Sequence, residues 1–247
     1  MAKKKEEQQN REDMDSIKRV LTGIPGLDEM MEGGLVRNST TLIQGGAGAA
    51  KTLFCLQHIY HGAMEMDEPA VFLSFNESEK SIIRHGNGFG WNFKKLIDDK
   101  KFMVVHFQPR EVARIIEEGS NVVWDTIESI GAKRVVIDSL TAYGMYFEKQ
   151  YLADQSILSI FQELDKLNIT ALLTMENLVS PTKESGDRAE FLTDGVINLY
   201  NLRKNKSHHR ALEIVKMRDT NHSSEIKLFD VDKNGIKIID SPNVPLD

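Results

Sequence analysis

Apolar positions along the chain alternate between two rhythms. Short, nearly continuous apolar runs occur at residues 40–44, 70–75, 102–107, 134–140 and 170–174, most of them closed by Gly, Asn, Asp or Glu. Runs of this length predict strands buried on both faces, as in a parallel sheet. Between them the period lengthens. Leu53, Leu56, Ile59, Tyr60 and Ala63, and later Ile157, Ile160, Phe161, Leu164 and Leu167, recur at helical spacing. They predict amphipathic helices after Ala50 and over residues 149–167. Shorter helical stretches are expected before His85, and at 113–117 and 122–130. From residue 196 the pattern is strand after strand, at 196–202, 211–217, 226–231 and 236–239, with a polar hairpin tip at 201–210 and a polar loop at 180–188. Strands alternating with helices and then strands alone predict an α/β fold. Its central sheet is mainly parallel and flanked by helices, with antiparallel C-terminal strands.

Composition narrows the class. A chain of 247 residues fits one large domain, expected over 19–240 between a charged tail at 1–18 and a short tail at 241–247. The first tail mixes Lys, Glu, Gln and Asp without an apolar face and reads as solvated chain. A net charge of −6 gives no general attraction to nucleic acid or anionic membranes. No apolar run approaches the roughly 18 residues a bilayer span requires. The lone Cys55 cannot build a disulfide framework and suits a reducing cytoplasm, the expected location. The adjacent His208 and His209 lack a third ligand nearby, so a metal site is not expected there. His58 and His61 read as partly buried or surface residues.

The candidate chemistry begins where the first buried strand ends. Gly45, Gly46, Ala47, Gly48, Ala49, Ala50, Lys51 and Thr52 form a strand, glycine-rich turn, helix sequence, the arrangement of a phosphate-binding loop. Backbone N–H groups and the positive end of the following helix face phosphate oxygens there. Lys51 would reach the β- and γ-phosphates, and the Thr52 hydroxyl would hold Mg²⁺. Ala50 stands where the usual pattern has its second glycine. If that position needs a positive φ, alanine costs about 1–2 kcal/mol, enough to weaken nucleotide binding. The bland alternative is an ordinary Gly/Ala-rich turn. The run Arg134 to Asp138 would deliver one carboxylate beside this loop, a second Mg²⁺ ligand. The strand at 70–75 ends in Asn76 and Glu77, candidates for the catalytic edge because strand carboxyl ends face the ligand crevice. Glu77 and Glu79 equally suit an acidic helix start.

The segment Thr22-Gly-Ile-Pro-Gly-Leu-Asp28, then Gly33-Gly34-Leu35, the loop at 45–52 and Asp194-Gly-Val-Ile197 together resemble the KaiC-like domains of the RecA superfamily over residues 19–239. On its own the first segment reads as two surface turns around a short helix. The resemblance implies a RecA-like P-loop NTPase that binds ATP and Mg²⁺, with Leu53 joining the nucleotide contacts. It places Gly88, Phe89 and Gly90 near the nucleoside, although an aromatic turn also suits a core. It carries Lys216, Met217, Arg218, Thr220 and His222 across a subunit boundary to the neighbour's nucleotide. The competing reading of Lys216 and Arg218 is a solvated basic strand edge.

A homo-oligomer, a hexamer, follows from that resemblance, together with a protein partner of unstated identity. Lys51, Asn76, Glu77, Lys216 and Arg218 are the implied catalytic residues. The family carries two acidic residues at the end of that strand. Here the first is Asn76, whose amide orients water but takes no proton, so slow ATP hydrolysis is expected. Where clock-type members carry a phosphorylated Ser-Thr pair, this chain has Glu190 and Phe191, so self-phosphorylation is not expected. Two other readings stand beside this one: a nucleotide-sensing scaffold without hydrolysis, and a recombinase paralogue acting on DNA. The loop at 180–188 mixes Lys183 and Arg188 with Glu184 and Asp187 and has no aromatic, which argues against single-strand binding.

Overall fold

A computed structural model of the chain describes residues 17–107, 122–177, 188–204 and 207–241. The stretch expected to be helical at 113–117, most of the tails and nearly all of the polar loop at 180–188 lie outside the described residues. The chain opens with a small antiparallel pair, β1 (Arg19–Val20) and β2 (Leu35–Val36), around a 3₁₀ turn at Asp28–Met31. The main sheet then takes its parallel strands from β3 (Thr40–Gly45), β4 (Ala70–Ser74), β5 (Phe102–His106), β6 (Arg134–Asp138), β7 (Thr170–Glu176) and β8 (Gly195–Lys204). Three antiparallel strands extend it, β9 (Ser207–Met217), β10 (Lys227–Asp232) and β11 (Gly235–Ile239). Across the sheet the order is β11-β10-β9-β8-β3-β7-β6-β4-β5.

The helices are α1 (Lys51–Glu65), α2 (Glu79–Asn87), α3 (Phe93–Asp98), α4 (Val122–Ser129), α5 (Leu140–Gly144), α6 (Gln150–Lys166) and α7 (Arg188–Leu192). All six residues of β3 are buried, the consequence of helices covering both sheet faces. One core joins Ile43 and Leu172 to α1, α2 and α3, and a second joins Leu42, Leu173 and Val135 to α4, α5 and α6. Chain order does not match strand order. The strand after α1 lands beyond β7 and β6, so the carboxyl ends of β3, β7, β6 and β4 are brought to one edge.

The segment at 22–35 is two turns around a short helix, as expected, with Pro25, Gly26 and Gly33 exposed, while its apolar residues Ile24, Leu27, Met31 and Leu35 are fully buried in the α1-side core. Its polar groups are answered internally, since the Thr22 N–H and hydroxyl donate to Asp28 Oδ1 and the Gln57 amide of α1 donates to Gly23 O and Ile236 O. One expectation is corrected here. His58 is neither partly buried nor at the surface but wholly enclosed. It lies against Arg134, which begins β6 and is itself 1% exposed. Burial, with the Arg134 charge beside it, holds the His58 imidazole well below its ordinary pKa. A short apolar run revealed neither residue as a buried polar partner.

Candidate functional site

At the carboxyl edge of the parallel strands lies a cleft of about 520 Å³, within the size range of small-molecule sites. The loop joining β3 to α1 forms its floor. Gly45 pairs with Glu176 on one side and Leu199 on the other. A Cβ at Gly45 would sit 2.5 Å from Leu199 O, so only glycine lets the loop leave the sheet this closely. Gly48 takes φ +76° under Asn201 of β8. Ala50, the residue that departs from the glycine pattern, also adopts a left-handed conformation, φ 75° and ψ 27°.

That geometry assigns the cost of Ala50 to the fold of the loop itself, because the left-handed φ is part of how the loop closes between β3 and α1. We therefore expect Ala50→Gly to leave ATP affinity within about twofold. Relief of roughly 1–2 kcal/mol of left-handed strain is partly offset by the more flexible unfolded chain, for a net stabilisation of about 1 kcal/mol or less. Titration calorimetry and thermal melts measure the two effects separately. A large gain in affinity would mean that the methyl group obstructs the nucleotide.

Around this floor the topology gathers chemistry from separate strands. The register that aligns Ser74 with Asp138 puts the β4 and β6 ends side by side. Asn76, Glu77 and Asp138 therefore face Lys51 and Thr52 across one cleft. Asp138 accepts from the Thr52 hydroxyl on Oδ2 at 2.8 Å and from the Thr174 hydroxyl on Oδ1. Burial pushes the Asp138 carboxyl above its usual pKa, against the two hydroxyl hydrogen bonds and the Lys51 charge. Lys51 folds back onto the loop, donating to Gly45 O at 2.8 Å and Gly46 O at 3.2 Å. Burial lowers the Lys51 pKa, opposed by the Glu176 and Asp138 carboxylates. A half-buried carboxylate beside a hydroxyl is an all-oxygen donor set that fits Mg²⁺, a hard cation that keeps most of its water and binds through one or two protein ligands plus phosphate. A cation there would offset the burial cost of Asp138, and a polyphosphate that of Lys51.

The sequence-derived site divides in this geometry. Residues 47–53, Asn76, Glu77, Phe89 and Asp138 line the cleft. Gly88 and Gly90 do not. Gly90 turns the chain at φ +76°, and Phe89 stacks on the buried Trp91 with ring centroids 5.1 Å apart. Lys216, Met217, Arg218, Thr220 and His222 also lie outside the cleft. The Lys216 ammonium donates to Glu190 O and Thr193 O, Arg218 pairs with Asp194 at 3.0 Å, and Thr220 accepts from Arg19. Met217 is buried, and His222 meets Ser223 O at 3.0 Å.

His85, Ser139, Glu176 and Arg210, with the apolar Leu56 and Val231, also line the cleft, and none of them was singled out from the sequence as a site residue. Glu176 closes a strand that was predicted, at the same edge as Asp138, and that was the available signal. Arg210 arrives through the β8–β9 hairpin, where its Nε donates to Gly48 O at 3.3 Å, and nothing local announces it. Among the described residues no group of three or more His, Cys, Asp or Glu could hold a metal by itself, and no helix is long and apolar enough to cross a membrane.

Comparison with known proteins agrees with this architecture. The family model for the KaiC ATPase matches residues 20–243. The circadian clock oscillator protein KaiC of Acaryochloris marina is 32% identical over 230 residues, covering 90% of this chain and 44% of that protein. The chain thus spans a little under half of such clock proteins. The UPF0273 protein MJ1359 of Methanocaldococcus jannaschii is 31% identical, covering 89% of this chain and 96% of its own length. The crystal structure of the KaiC-like protein PH0186 from Pyrococcus horikoshii superposes with a TM-score of 0.82 at 33% identity, over 91% of this chain and all of that one. A half-buried carboxylate beside the Lys-Thr end of a glycine-rich loop, with the family match over residues 20–243 and a fold shared with these relatives, places the chain in the KaiC ATPase family.

Proposed function

We propose that the protein binds Mg·ATP at the boundaries between subunits of a homo-oligomeric ring, a hexamer, and hydrolyses it slowly. The cycle would drive or regulate assembly with a protein partner in the cytoplasm. The observation that carries the reading is the contact of Thr52 with Asp138 across the cleft floor, next to Lys51. Bound there, Mg²⁺ would supply neutralisation of the β- and γ-phosphate charge. The loop amides and Lys51 would hold the phosphates, and Asn76 would orient a water. Support for a subunit boundary comes from Lys216 and Arg218, which point away from their own cleft toward α7. Phe191 there is 72% exposed, with Leu192 and Val215 also open to solvent. Cations placed so are positioned to serve a neighbour's phosphates.

Slow turnover follows from Asn76, which leaves no carboxylate at that strand position to take the water's proton. Asn76→Glu is expected to raise steady-state turnover about tenfold, less than the roughly 10²–10⁴ that a sole general base contributes. A fast wild-type rate unchanged by that substitution would refute the assignment. Light scattering with and without Mg·ATP tests the ring. Asn76 also favours a second reading, a nucleotide-sensing scaffold that never hydrolyses. That protein would bind ATP, assemble on it and release no phosphate. DNA binding has less support, because its candidate loop carries mixed charge and no aromatic.

A further inference from the structure

The cleft contains an imidazole that none of the sequence motifs called for. Glu77 precedes the extended N-cap Ser78 of α2, and Ser81 and His85, one turn apart, share the helical face it contacts. The Ser81 hydroxyl donates to Glu77 Oε2 at 2.5 Å, and His85 Nε2 lies 3.5 Å from the same oxygen. Ser81 in turn accepts from Arg84, and the Glu77 N–H donates to the Ser74 hydroxyl. Glu77 is thereby fixed at both backbone and carboxylate. Its Oε2 accepts from Ser81 and lies in ion-pair range of His85, and Glu77 and His85 both line the cleft with Asn76 and Lys51. The His85 side chain is 39% exposed.

A carboxylate that holds one imidazole nitrogen fixes the tautomer and leaves the other nitrogen free to act as a base. At 3.5 Å the Glu77–His85 pair is an ion-pair contact, and catalytic hydrogen bonds often form fully only in the substrate complex. The neighbouring strand end offers Asn76, which cannot take a proton.

We propose that His85 is the proton acceptor for ATP hydrolysis, with Glu77 as its positioning residue and Ser81 as the anchor of Glu77. This rests on the reading of the cleft as an ATP-hydrolysing site. As the water oxygen bonds to the γ-phosphorus, the bond to the β,γ-bridging oxygen breaks and its electron pair leaves with ADP. The water proton moves to Nδ1 of His85 while Nε2–H stays directed at Glu77. The imidazolium returns its proton to solvent before the next turnover.

The test compares wild type, His85→Ala and Asn76→Glu/His85→Ala, with Mg·ATP as the ligand. His85→Ala should lower kcat by about 10²–10⁴, the usual worth of a general base, while calorimetric ATP affinity stays within about twofold. Free imidazole should restore part of the loss, and the added carboxylate of the double variant should restore turnover by another route. Independently of turnover, ¹⁵N shifts of the nucleotide-free protein should show the neutral His85 protonated on Nε2, and mixed tautomers in Glu77→Ala.

Turnover of His85→Ala within about tenfold of wild type, a loss that neither imidazole nor the second carboxylate repairs, or an Nδ1-protonated His85 would each overturn the proposal. So would a wild-type protein that binds ATP and releases no phosphate. A wild-type protein that does not bind ATP would instead remove the reading of the cleft itself.

Discussion

Mixing a Lys51→Ala protein with an Arg218→Ala protein is expected to recover ATP turnover that neither shows alone. Lys51 serves the cleft of its own chain, donating to the loop carbonyls that close its floor. Arg218 lies outside that cleft and is held by Asp194 Oδ1 at 3.0 Å and by Phe191 O. In a ring of mixed subunits some boundaries would join an intact loop to an intact arginine. Cations supplied in trans to a transferring phosphoryl group contribute factors of about 10³–10⁵, so Arg218→Ala should be nearly inactive by itself. Its ion pair with Asp194 is exposed, and such pairs contribute about 0–1 kcal/mol. Thermal melts of Arg218→Ala should therefore match wild type while turnover collapses. If the mixture remains as inactive as its parts, the cation works within its own chain or not at all.

Glu68→Ala is expected to destabilise the fold by about 3 kcal/mol, the lower end of the range for breaking a buried ion pair. Arg134 carries its charge to the foot of β6 at 1% exposure. Its Nε and Nη2 both lie 2.7 Å from Glu68 Oε2, and Nη1 donates to Leu21 O and His58 O. Arg37 occupies the other Glu68 oxygen at 2.7 Å. Gly62 of α1 leaves the guanidinium room, since a Cβ there would lie 2.2 Å from Arg134 Nε. Without Glu68 the guanidinium keeps its carbonyl partners but loses its counter-charge, which is the costly half of the change. Arg134→Met combined with Glu68→Ala should recover part of the loss, and denaturant titration of the three proteins measures it.

The same pair sets an acid limit. Burial alone would raise the Glu68 carboxyl, but the Arg37 hydrogen bond and the Arg134 charge together hold it below its ordinary value. A folded pKa below the unfolded one adds stability above the unfolded pKa, and that stability is lost as pH falls through the folded one. Glu68→Ala should accordingly lose less stability on acidification than wild type does.

Much of this molecule is legible locally. The strand at 40–44, the glycine turn and the helix after Ala50 sit where the apolar rhythm put them, and the helix expected at 149–167 is observed at Gln150–Lys166. The change to strand-only spacing after residue 195 marked the antiparallel extension. The phosphate-loop residues, Asn76, Glu77 and Asp138 were picked out because a strand end is a local event and strand ends face one edge. His85 was passed over because a histidine on a helix carries no distance to a carboxylate in its spacing alone. Ala50 could be treated only conditionally, since the sign of its φ depends on how the loop closes.

Local periodicity thus determined which segments are strands and helices, which of their faces turn inward, and that a Lys-Thr pair ends a glycine-rich turn. Only the tertiary structure decided that the apolar residues of the segment at 22–35 are core, that Arg134 and His58 are enclosed together, and that Lys216 and Arg218 lie beside α7 and away from their own cleft. The reason is the crossover pattern of the sheet. An element's own sequence fixes its repeat, but its neighbours depend on where the chain re-enters the sheet, and here β4 and β6 re-enter on one side of β3 and β8 on the other.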